Sequence, residues 1–226
     1  MKIAGFQKLT LLDYPSKVAC IIFTQGCNYK CPYCQNSGLI NHSNEDLIDE
    51  EEIFNYLDKR KGVIDGIVIS GGEPTIQKDL KFFMKKVKDK GFLIKLDTNG
   101  SNPNFVEEAI NEKLVDYIAM DIKNVLEEYK DVTDVNPNIS NLKRSIEIIK
   151  NSNIEHEFRT TIIKNIHSID KILTICKYVG DDRLYLQNFV QSENVLGKYL
   201  KPFTEEELVE IKKEIGIFPN VKIRGM

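Results

Sequence analysis

Val18-Ala19-Cys20-Ile21-Ile22-Phe23, then Thr24-Gln25-Gly26, then Cys27-Asn28-Tyr29-Lys30-Cys31-Pro32-Tyr33-Cys34-Gln35-Asn36: the fold turns on this stretch. Its first part is a continuous apolar run, as in strands covered on both faces by the helices of a parallel sheet. Directly after it come three cysteines spaced C-x3-C-x2-C. Three thiolates on one short loop can hold three irons of a 4Fe-4S cluster. Four thiolates are the rule, so a three-cysteine loop leaves one iron open to a substrate. Zinc is the bland alternative, and it needs a fourth ligand to close a tetrahedron. Cys20 lies mid-run and reads as a small core residue. Cys176 falls on the apolar stripe of Ile169, Ile172 and Leu173 and reads the same way. The spacing favours the cluster, and a zinc-stabilised binding module stands as the other reading.

Outward from this loop, the chain repeats one unit. Ile64–Ser70, Phe92–Leu96, Val115–Met120, His156–Ile163 and Arg183–Phe189 read as further strands, with Val221–Ile223 as a terminal one. Between them, 49–61, 78–90, 103–113, 141–150 and 168–178 read as helices. Acidic residues crowd the start of the first, Gly91 ends the second and Pro103 opens the third. A last helix starts at Thr204, where Glu207 completes a capping-box pattern. Strand and helix alternating six times predict an α/β fold with a parallel sheet and right-handed crossovers. Six units are too few for an eight-fold barrel, so a partial (β/α)6 TIM-like barrel, open along one side, is expected. Residues 1–226 are read as one domain, with 1–16 as an N-terminal hairpin or lid packing on the barrel.

The 226 residues carry a formal charge of −3, so no polybasic field points to nucleic acid. Apolar runs stop short of a membrane span of about 20 residues, and the N-terminus lacks the apolar stretch of a signal peptide. A cytoplasmic protein is expected, without membrane or nucleic-acid partners. In a reducing compartment, five cysteines with three in one loop read as metal binding rather than disulfides.

Polar motifs follow the strands, at the edge where parallel sheets and barrels build sites. Gly71-Gly72-Glu73-Pro74 lets backbone pass close to a ligand, or is a plain turn. Asp97-Thr98-Asn99-Gly100 has the composition of a turn. Asp121 and Lys123 alternate and so share a side, facing a ligand or forming a surface salt bridge. Arg159, a lone base in an apolar strand, needs a partner. Gln187 is a candidate hydrogen-bonding group. His42, His156 and His167 show no metal-ligand spacing and read as solvent-facing or structural.

These motifs together resemble the radical S-adenosylmethionine superfamily. The cysteine loop with Tyr33 before its last cysteine, Gly71-Gly72-Glu73-Pro74, Asp97-Thr98-Asn99-Gly100 and Met120-Asp121-Ile122-Lys123 carry that likeness. Within it, the chain resembles the activating enzymes of glycyl-radical proteins, above all those of anaerobic ribonucleoside-triphosphate reductase. Gly5-Phe6-Gln7-Lys8-Leu9, Asp13-Tyr14-Pro15, Phe158-Arg159-Thr160-Thr161 and Leu186-Gln187-Asn188-Phe189 add to it. The resemblance implies a 4Fe-4S cluster on Cys27, Cys31 and Cys34, with S-adenosylmethionine on the open iron. It implies cofactor contacts from Tyr33, Gln35, Asn36, Gly71, Gly72, Glu73, Asp97, Asn99, Asp121, Lys123, Arg159 and Gln187, with Glu73 meeting the methionine ammonium. It implies a small monovalent cation near Asp97, Thr98, Met120 and Asp121. The reaction it implies begins with one electron from a low-potential donor such as flavodoxin or ferredoxin. Reductive cleavage of the cofactor follows, and a hydrogen atom is then taken from a glycine of the partner enzyme. A small-molecule radical enzyme, similar to 7-carboxy-7-deazaguanine synthase, is the second enzyme reading.

Overall fold

The apolar runs assemble into one eight-stranded sheet whose spatial order follows the chain. The computed structural model describes residues 1–40 and 47–224, so His42 lies outside the described residues. The strands are β1 (Ile3–Thr10), β2 (Ala19–Thr24), β3 (Gly66–Gly71), β4 (Leu93–Thr98), β5 (Tyr117–Asp121), β6 (Glu155–Ile162), β7 (Leu184–Asn188) and β8 (Val221–Arg224). From β2 to β8 every neighbouring pair is parallel. The sheet is not closed, and β1 and β8 are its two edges. This is the expected partial barrel with one addition. The segment expected as a hairpin or lid is an edge strand, antiparallel to β2, followed by a loop that turns back onto the sheet. Its Leu9, Leu11 and Leu12 are exposed, which hid a strand whose inward positions are partly polar.

The helices are α1 (Glu50–Lys59), α2 (Leu80–Asp89), α3 (Pro103–Asn111), α4 (Tyr129–Thr133), α5 (Ile139–Lys150), α6 (Ile169–Val179) and α7 (Glu205–Glu214). Their starts are chemically defined. Asp49, Asn102, Asn138 and Ser168 each accept a hydrogen bond from a backbone N–H of the first turn. Thr204 and Glu207 form the full capping box. Such caps contribute about 1 kcal/mol each. The short α4 follows the site motif on β5 and has no counterpart in the sequence reading.

Strand alternation divides the side chains into two sets. On β4, Ile94 and Leu96 join the large core between sheet and helices, against residues such as Phe83 and Met84 of α2. Each fully buried side chain of this kind contributes about 1.5–3 kcal/mol. Lys95 and Asp97, the alternate positions, face the concave side. There a second, small apolar cluster of Tyr14, Ala19, Ile21, Val68, Tyr117 and Ala119 fills the lower part of the open barrel. Tyr14, from the loop after β1, meets Tyr117 edge-on at 6.0 Å. No described helix is long and apolar enough to cross a membrane.

Candidate active site

Above that small cluster, at the C-terminal ends of the strands, lies a cavity of about 460 Å³. Cys27, Cys31 and Cys34 line it from the loop after β2. All five cysteines are free. Cys20 does not reach the cavity. Ile21 and Phe23 of the same strand do, so Cys20, one position out of phase, points to the helix side, where it is fully buried. Cys176 is buried on α6. Burial pushes the Cys27 thiol up to about 12 and raises Cys31. A bound metal centre would offset this by taking the thiolates. The donor set fits the group implied by the spacing: three sulfurs on one cavity wall, with polar residues opposite and no fourth cysteine beside them.

The opposite wall is a row of charges. Lys95 Nζ donates to Asp97 Oδ1 at 2.5 Å. Arg159 Nη1 donates to Asp97 Oδ2 at 3.3 Å and its Nε to Asp121 Oδ1 at 2.8 Å. Lys123 Nζ donates to Asp121 Oδ2 at 2.9 Å. Burial alone would raise both carboxyls, but Arg159 and Lys95 hold Asp97 below its ordinary range. Arg159 and Lys123 likewise hold Asp121 well below it. Of the three cations, Lys123 and Arg159 line the cavity, while Lys95 lies buried beneath it.

The carboxylates in the expected cation site are therefore already met by ammonium and guanidinium groups. The Met120 side chain lies on the other face of β5. A Cβ at Gly100 would fall 2.1 Å from its Cε. Asp97, Thr98 and Asp121 line the cavity, and Met120 does not.

Glu73 sits in the cavity lining but is 1% exposed. Its carboxylate accepts from Thr75 N, Thr75 Oγ1, Thr98 Oγ1 and Asn99 N. Burial raises its pKa, and these donors work against that rise. In this structure Glu73 braces the turns after β3 and β4. The two glycines before it have a similar role. Gly72 N donates to Thr24 O and Glu73 N to Gly26 O. A Cβ on Gly72 would lie 2.0 Å from Gly26 O. The close approach that these glycines allow is to the backbone of the cysteine loop.

Every residue expected to touch the cofactor lines this one cavity. Some are already engaged. Gln35 Nε2 donates to Val190 O at 2.7 Å and its Oε1 accepts from Ser192 Oγ, pinning the segment after β7 to the cysteine loop. Asn99 Nδ2 donates to Asn28 Oδ1 at 2.9 Å. The sequence reading missed Lys95, although a lysine two residues before Asp97 in a strand must share its face. It also missed the polar neighbours Gln7, Asp13 and Thr161, and Tyr29 inside the cysteine loop.

A family model, the Radical SAM superfamily, matches residues 21–179, which include most of β2, the cysteine loop and β3–β6. The chain belongs to the radical SAM superfamily. It is a radical S-adenosylmethionine enzyme, and the zinc-module reading falls with that membership. A Methanocaldococcus jannaschii protein provisionally named as a glycyl-radical enzyme activating enzyme is 38% identical over 220 residues, spanning 93% of this chain and 90% of that protein. The pyruvate formate-lyase-activating enzyme of Clostridium pasteurianum is 30% identical over 138 residues, 58% of this chain and 57% of its own. Among solved structures, QueE from Escherichia coli shares the fold with a TM-score of 0.58 at 15% identity, covering 99% of this chain and 93% of that one. As a member of this radical SAM family, the chain is matched to a 4Fe-4S cluster and S-adenosylmethionine.

Proposed function

We propose that the protein is a glycyl-radical enzyme activating enzyme, with the cluster on Cys27, Cys31 and Cys34 and S-adenosylmethionine in the adjoining cavity. Its partner, on this reading, is an anaerobic ribonucleoside-triphosphate reductase, and its electron donor a low-potential flavodoxin or ferredoxin. One observation carries the proposal: three free cysteines and a row of ion-paired charges, Asp97, Asp121, Lys123 and Arg159, line the same cavity in an open barrel. The relative spanning 93% of the chain supports the activating role.

A reduced cluster bound there supplies the one electron that cleaves the sulfonium S–C5′ bond of S-adenosylmethionine. The chain's own residues do the rest by position. The Lys123 ammonium and the Arg159 guanidinium suit the methionine carboxylate through charge-assisted hydrogen bonds. Lys123 has three N–H donors, of which Asp121 takes one. Glu73 keeps the turns after β3 and β4 in register with the cysteine loop, so cluster and cofactor sites hold a fixed distance. The open side between β1 and β8 admits a loop of another protein, while the apolar floor of Ile21, Val68 and Tyr117 keeps water from below.

The test mixes anaerobically reconstituted, reduced protein with S-adenosylmethionine and a candidate reductase. 5′-Deoxyadenosine and a glycyl signal in electron paramagnetic resonance are expected together. Cys27→Ala, Cys31→Ala and Cys34→Ala lose both, whereas Cys20→Ala and Cys176→Ala keep both. Deoxyadenosine without a glycyl signal from any candidate partner overturns the activating role in favour of a small-molecule substrate.

A further inference from the structure

Tyr29 lies between the first two cysteines, and its backbone already bears on one of the sulfurs. Its backbone N–H donates to Cys27 Sγ at 3.4 Å. Its ring is 3% exposed and lines the cavity. It is held edge-on by Tyr129, 6.4 Å away between centroids. Lys30 N, the next donor along, is tied to Thr133 O at 2.8 Å, so the loop holds the ring in place. Yet the Tyr29 hydroxyl is buried and has no hydrogen-bond partner. Asn124 and Thr160 also have unpartnered buried oxygens, but neither lines the cavity.

A buried hydroxyl left unpaired is costly, and native structures rarely keep one without a reason. A phenol titrates only at about pH 10, so at neutral pH it carries one O–H donor. Its acceptor is not among the described residues. The acceptor expected in the cavity beside Cys27 and Cys31 is sulfur.

We propose that the Tyr29 hydroxyl donates a hydrogen bond to a sulfur of the cluster held by Cys27, Cys31 and Cys34, and so raises its reduction potential. Reduction adds negative charge to the iron–sulfur core. A donor aimed at a sulfur favours that more negative state, and hydrogen bonds to the sulfurs are among the terms that set such potentials. Removing the donor therefore lowers the potential. The inference rests on the cluster alone and holds whatever supplies the hydrogen atom.

Tyr29→Phe removes the oxygen and keeps the ring. Both proteins are reconstituted without oxygen, and iron and sulfide are counted first. A wild-type chain that takes up no iron overturns the cluster, and the proposal with it. With about four irons in each, redox titration followed by electron paramagnetic resonance is expected to place the variant at lower potential. Equal midpoints overturn the tuning role and leave the cluster standing. Two further readouts separate tuning from packing. Electron–nuclear double resonance of the reduced wild type should show a solvent-exchangeable proton coupled to the cluster, lost in Tyr29→Phe; its persistence in the variant assigns the bond to another donor and overturns the proposal. The metal-free variant should melt at or above the wild-type temperature, because the oxygen has no partner there. A lower melting temperature would mean that a protein group already accepts this hydrogen bond, which also overturns the proposal.

Discussion

His167 shows how much of the site is held by groups that never reach the cavity. It is fully buried. Its Nδ1 accepts from Ile163 N at 3.1 Å, and Nε2 pairs with Lys123 O at 3.1 Å. Since Lys123 O can only accept, the ring is neutral with its proton on Nε2. The same carbonyl accepts from Tyr33 of the cysteine loop, at 3.4 Å, and Tyr129 Oη accepts from Lys123 N at 2.9 Å. His167 thus positions the backbone of a residue in the charged wall. Burial lowers its pKa from 6.5 to about 4, with Lys171 also lowering it and the Lys123 carbonyl and Glu128 opposing. Between those values the unfolded chain takes up a proton that the folded one refuses. The stabilisation from neutral His167 is therefore fully present above pH 6.5 and is lost as pH falls toward 4. It amounts to about 2 kcal/mol between pH 7 and pH 5. His167→Gln, which does not titrate, should lose correspondingly less stability over that interval in urea unfolding of the metal-free protein. Parallel losses in the two proteins would remove the histidine from this role.

At the scale of elements, the site depends on two loops that share backbone hydrogen bonds. The cysteine loop and the Gly71-Gly72 turn meet through Gly72 N to Thr24 O and Glu73 N to Gly26 O. Gly71, at φ +118°, would place a Cβ 2.2 Å from Thr24 N, and Gly72 would place one 2.0 Å from Gly26 O. Neither contact can relax by moving a side chain, since the obstacles are backbone. Gly72→Ala should therefore displace the cysteine loop and cut iron content after reconstitution to less than about half, as bound ligand sets require geometry within a few tenths of an ångström. Gly38→Ala, with nothing within 4 Å of its Cβ, serves as the control and should load fully. Equal iron in the two would show that the loops are not coupled. Strands β2 to β5 were legible in the sequence because they are largely buried on both faces and end in polar motifs. β1 was not, because an edge strand with Gln7 inward and Leu9 exposed has no clean period. The lining residues at the strand ends were legible by motif; Gln7, Asp13, Tyr29 and Thr161 were not, nor were the hydrogen bonds of the site. Nothing local shows that Glu73 would spend its carboxylate on Thr75, Thr98 and Asn99, partners that meet only when β3 and β4 lie side by side. Lys95 was overlooked for the opposite reason, since a buried lysine looks wrong until Asp97 is seen beside it.

For the molecule as a whole, the charged wall and the small apolar cluster together explain how an open sheet holds its curvature. Lys95, Asp97, Asp121, Lys123 and Arg159 tie β4, β5 and β6 across the concave face. Below them, Tyr14 from the N-terminal loop rests on Tyr117 of β5 and packs with Ile21 of β2 and Val68 of β3. Strands at the start and middle of the chain thus share one interior, and the large core runs from Ile3 to Val221 without a break. We propose on this ground that residues 1–226 fold as one domain. Chains of this length often unfold in parts, since two-state behaviour is typical below about 150 residues, so the proposal makes a distinct prediction. Scanning calorimetry of the metal-free protein should show one transition, with a calorimetric enthalpy on the order of 160 kcal/mol if it melts near 60 °C and a van't Hoff enthalpy that matches it. Tyr14→Ala should lower the midpoint of that single transition without splitting it, because the contact it removes belongs to the shared interior. Two resolved transitions in the wild type, or a variant in which β1 and its loop melt ahead of the rest, would show that the N-terminal segment is a separate unit laid over an independently stable barrel.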